Sequence, residues 1–158
     1  MINKYLTTYL NLINEHDQQL LIKTFINTCK QQSKEQFPNI KLSTKISKNN
    51  PPIITVSVLT APNECFTKDI LNDIKAHFPF GIGSNLYNWT DKSIWINDDL
   101  VKNFVPILTE LGAKKLTEIL NIFNSAKIDN NFVQADYFNS NYYINLELGS
   151  QNIPLKII

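Results

Sequence analysis

Arginine is absent from this 158-residue chain, so all 15 of its basic side chains are lysine. The guanidinium is the group that grips phosphate or carboxylate with two parallel hydrogen bonds, stacks on bases and reads guanine in the major groove. Its absence argues against an arginine finger and against the commonest guanine readout in the major groove. Acidic side chains number 14, leaving a net charge of +1. That is far from the strong basic field on which nucleic-acid binding leans. Lysine can still hold a phosphate, so nucleic-acid binding stays as the weakest of three functional readings.

Cysteine and histidine are almost absent too. Cys29 and Cys65 are the two cysteines, and His16 and His77 the two histidines. Two cysteines make no disulfide framework. No paired spacing supplies the four ligands of a structural zinc site. No metal or cofactor is therefore expected. No apolar run reaches the ~18 residues of a membrane span. The start, Met1-Ile2-Asn3-Lys4-Tyr5-Leu6, has no basic region leading into an apolar stretch, so no signal peptide is read and a cytoplasmic location is expected.

What is present suffices for a core. The chain is 43% hydrophobic and 18% charged, a composition of folded rather than disordered chains. Its length fits one domain, residues 1–158. Asparagine and isoleucine each occur 21 times. With lysine, they point to AT-rich codons and an AT-rich genome, bacterial or phage. Abundant thermolabile asparagine argues against a hyperthermophile.

Leu6, Tyr9, Leu10 and Ile13 share one helical face, and Ile22, Phe25, Ile26 and Cys29 repeat the spacing after His16-Asp17. Phe37-Pro38 ends the second pattern. Two helices joined so closely predict an N-terminal helical hairpin. The period then shortens to two. Residues 42–46 and 53–59, around Asn49-Asn50-Pro51-Pro52, predict a β-hairpin. Asn63 is expected to cap a helix that ends at Pro79. A short strand is expected at 93–96, followed by a helix over 99–111 closed by Gly112. A second helix is expected from Ala113 to about Asn124. Alternation over 142–148 and 153–157, around Gly149, predicts a second strand pair, with Pro154 marking a sheet edge. Two hairpins with helices give an α+β fold with an antiparallel or mixed sheet.

Few residues carry chemistry. Cys65 falls in the first turn of an expected helix, where free N–H groups lower a thiol pKa. It is the single catalytic candidate, as a nucleophile. His77 on the same helix would sit about 120° around and roughly 18 Å along the axis, so no base is at hand. Gly81-Ile82-Gly83-Ser84 lacks the third glycine of a dinucleotide fingerprint and the lysine of a P-loop, and reads as a turn. Asp98-Asp99 reads as helix capping. The lysines of 41–48 read as a solvated face.

Aromatic residues cluster over 78–95, across the irregular stretch 79–92 and the short strand after it. Phe80, Tyr87, Trp89 and Trp95 are the candidate partner-binding residues, because tyrosine and tryptophan favour contact surfaces. The run from Val105 to Leu120 resembles helix pairs of some bacterial immunity and DNA-mimic proteins. The likeness covers about a tenth of the chain, a generic amphipathic pattern that carries over no residue role, and the acidic surface of a DNA mimic is missing. The expected function is a small protein-binding module that occupies a protein partner, as an immunity protein, chaperone, adaptor or inhibitor does. The alternative is a small hydrolase or transferase using Cys65. The last segment, 153–158, could pair across a homodimer if it leaves an open edge.

Overall fold

The structure, a computed structural model, describes residues 15–49, 51–67, 94–96, 108–125, 129–132, 137–140, 142–150, 152–153 and 155–158. Helix α1 spans Glu15–Gln36 and helix α2 spans Glu110–Asn124. The strands are β1 (Lys41–Ile46), β2 (Ile53–Ala61), β3 (Ile94–Ile96), β4 (Asp129–Phe132), β5 (Tyr137–Ser140), β6 (Tyr143–Leu148) and β7 (Lys156–Ile157). The main sheet is mixed and runs β1-β2-β6-β3, with β7 beside the end of β2. Helices packed on such a sheet make the fold α+β.

Helix α1 forms where the spacing of apolar residues predicts it. Ile22, Phe25, Ile26 and Cys29 are all buried. The helix already includes His16 and Asp17, so no break falls there. The predicted first helix of the hairpin, 3–15, lies almost wholly outside the described residues. At the other end Phe37 donates its N–H to Ser33 O at 2.8 Å, and Pro38 prevents continuation. Ile40, buried, then leads into β1.

β1 and β2 form the predicted antiparallel hairpin. Pro51 and Pro52 have no N–H, so the loop is closed by Ser47. Its N–H reaches Ile53 O at 2.8 Å, and its Oγ accepts from Ile53 N at 2.9 Å and Asn49 N at 3.3 Å. Ile54, Val56 and Val58 of β2 and Leu146 and Leu148 of β6 are buried in the core with both helices. Leu116, Ile119, Leu120 and Phe123 supply the α2 face. Tyr142 joins the two helices. Its hydroxyl donates to Phe123 O at 2.7 Å, and its ring lies 6.0 Å from Phe25.

The C-terminal part departs from the sequence reading. β6 runs parallel to β2, and so does β7, through Thr60↔Lys156 and Ala61↔Ile157. The turn at Gly149 (φ 75°) therefore displaces the chain along β2 instead of reversing it. Gly149 N–H still bonds Val58 O at 2.8 Å, and Ser150 N–H bonds Ile153 O at 2.7 Å. The end of the chain is tied down: Ile158 N–H donates to Ala61 O at 3.0 Å, and Asn63 N–H to Ile158 O at 2.7 Å. β4 and β5 form a separate antiparallel pair that the sequence pattern did not predict.

Candidate functional site

The environment of Cys65 differs from the expected one. Asn63–Cys65 is a single 3₁₀ turn, preceded by Pro62 and followed by extended Phe66 (φ −126°, ψ 145°). No α-helix starts at Asn63: the residue opens the 3₁₀ turn, whose N-cap position is Pro62. Residues 68–93, which hold the rest of the expected helix, His77 and the Gly81–Ser84 turn, lie outside the described residues. Phe66 instead forms an isolated antiparallel bridge with Leu108.

This segment is stapled to the start of α2. Thr109 N–H donates to Cys65 O at 3.1 Å, and Thr109 Oγ1 donates to Glu64 O at 2.6 Å. The same Oγ1 accepts from Gly112 N at 3.1 Å, so Thr109 caps the helix. Lys115 Nζ meets Glu64 Oε1 at 2.9 Å across the junction. Gly112 lies in the first turn of α2, not at the end of a preceding helix. A Cβ there would stand 2.0 Å from Cys65 O. The glycine is required because two backbones meet, not because a helix stops.

Cys65 is buried, and burial pushes its thiol pKa up; nearby Lys115 opposes this only in part. The depressed pKa expected of a nucleophile is not found. Cys29 is more extreme. Burial pushes its thiol up to about 12, and its Sγ donates to Ile122 O at 3.5 Å. Both thiols are free and buried, and both act as small core side chains.

A second constellation escaped the sequence reading. Ser57 of β2 donates a hydrogen bond to Glu147 Oε1 of β6, and both are buried. They are registered neighbours at odd positions of their strands, whereas the helix-facing core residues occupy even ones. Trp95 of β3 is registered opposite Glu147. Alternation in 53–59 and 142–148 was legible, but not which strands would lie side by side. Of the four aromatic candidates, Trp95 lies in the described β3; Phe80, Tyr87 and Trp89 fall outside the described residues.

The third feature is a groove of about 540 Å³ between α1 and β1, with Lys30, Lys34 and Lys41 on its walls and Ile40 and Leu42 among its apolar lining. Lys30 and Lys34 share one helix face by their i, i+4 spacing. None of the three lysines is in an ion pair among the described residues. Among the described residues, β1 pairs with β2 alone. No group of three His, Cys, Asp or Glu side chains stands close enough to hold a metal ion, and no helix is long and apolar enough to cross a membrane, among the described residues. Compared with known proteins, the chain matches no family model, no curated sequence and no solved structure.

Proposed function

We propose that the chain is a protein-binding module that acts by occupying a protein partner, in the manner of an immunity protein, chaperone, adaptor or inhibitor. The observation that carries this reading is the edge strand β1, paired on one side among the described residues and flanked by an open groove. An open strand edge is a template for another chain. The aromatic segment would add a second contact area through Phe80, Tyr87, Trp89 and Trp95. A cytoplasmic location belongs to the same proposal.

Less supports the thiol-enzyme alternative. Cys65 lies outside the start of any described helix, and its proton is held more firmly than in water.

Affinity capture of the tagged full chain from its native host, followed by mass spectrometry, tests the proposal. One stoichiometric protein partner is expected. Trp89→Ala and Trp95→Ala should each weaken retention of that partner while leaving the thermal unfolding midpoint in place. If both variants retain the partner normally, the aromatic patch plays no part in binding.

A further inference from the structure

We infer that the groove between α1 and β1 is the docking site for an extended, acidic segment of a protein partner, which adds to the sheet as a strand alongside β1. The inference rests on the binding-module reading and gives its partner a chemistry.

Backbone geometry supplies the first support. Ser47 N–H bonds Ile53 O at 2.8 Å, which marks 47 and 53 as a hydrogen-bonded pair. Bonded and non-bonded pairs alternate along an antiparallel ladder. The register runs without a shift through Ile46↔Ile54, Lys45↔Thr55, Thr44↔Val56, Ser43↔Ser57 and Leu42↔Val58. Lys45 and Ser43 therefore bond to β2, and the N–H and C=O groups of Leu42, Thr44 and Ile46 point away from it. These three are the groups an added strand would engage.

Charge supplies the second. An added strand would run beside α1 and place alternate side chains between the helix and the sheet edge. Lys30 and Lys34 face that space from the helix, and Lys41 stands at the start of β1. No ion pair within the described residues competes for them. Glu35, on the adjoining stretch of α1, accepts a hydrogen bond from Gln31 Nε2 at 2.9 Å. Lysines on an edge strand also discourage unselective pairing. An acidic strand is the complement that converts this guard into selection, because opposite charges steer association and like charges reject the wrong partner. Ile40 and Leu42 offer apolar contact to the residues in between.

The test places the photo-crosslinker p-benzoylphenylalanine at Asn27, exposed on the groove wall, and separately at Asn121, exposed on α2. Each labelled chain is irradiated in an extract of the source organism, and adducts are mapped by mass spectrometry. The Asn27 position should crosslink to one segment of net negative charge in the captured partner, and the Asn121 position should not. Combined Lys30→Glu, Lys34→Glu and Lys41→Glu should lower the yield by about tenfold or more with the thermal midpoint preserved. Lys30→Gln with Lys34→Gln, a milder change, should lower it partially even if the triple variant misfolds. Adducts from Asn121 alone, adducts to nucleic acid or to a second copy of this chain, or yields indifferent to the lysines would overturn the inference. A partner captured with no adduct at Asn27 overturns the groove and leaves the binding module standing. No captured partner at all overturns the binding module, and the groove with it.

Discussion

Gly112 sits where the carbonyl of Cys65 presses on the first turn of α2. The clash in Gly112→Ala is with backbone, so no rotamer change relieves it. The variant should lose about 3 kcal/mol, measured by urea unfolding. Ser33 is the opposite case: its Oγ is buried without a hydrogen-bond partner among the described residues. Ser33→Ala removes that desolvated hydroxyl and favours the helix, so it should be neutral or stabilise by about 1 kcal/mol. Cys29 sets a pH dependence. Its pKa is raised from 9.0 to about 12, so the folded state keeps a proton that the unfolded state releases first. The stability it contributes is complete below about pH 9 and is lost as pH rises toward about 12, at ~1.4 kcal/mol per pH unit. The advantage of wild type over Cys29→Ala should shrink accordingly between about pH 9 and 12. The sequence showed a glycine after a leucine-rich stretch, which resembles a helix end. The contact that demands it comes from the 3₁₀ turn at Asn63–Cys65, far away in the chain, and leaves no trace in the local sequence.

At the scale of elements, the two helices and the first hairpin were legible because their pattern encodes their own geometry. Ile22, Phe25, Ile26 and Cys29 face the core at helical spacing, and so do Leu116, Ile119, Leu120 and Phe123. Partner and direction of a strand are not written in its alternation. β6 and β7 look like a hairpin around Gly149, yet both run parallel to β2. β4 and β5 were missed because Asp129, Asn130 and Asn131 belong to residue types depleted in strands. The Ser57–Glu147 bond depends on the same hidden choice of neighbour. It joins the two central strands of the sheet, and Ser57→Ala should cost about 1–3 kcal/mol by leaving the buried carboxyl oxygen without this donor. An unfolding curve unchanged from wild type would show that the bond contributes nothing.

At the scale of the whole molecule, the mixed sheet, with α1 and α2 on its core, ends among the described residues in β1, an edge strand beside three lysines. In the sequence Lys41 belongs to the solvated face of 41–48 while Lys30 and Lys34 lie apart from it, and only the fold brings the three together. Of the aromatic candidates, Trp95 is placed on β3 opposite Glu147. A net charge of +1 hides this local concentration, since a sum carries no positions. The central claim is that the protein works by holding another protein. Affinity capture of the full chain from its native host tests it most directly. One partner retained in fixed stoichiometry, and released as salt is raised because lysines contribute to the contact, is the predicted result. A protein recovered alone at low salt, in cells where it is expressed at its native level, would contradict the account.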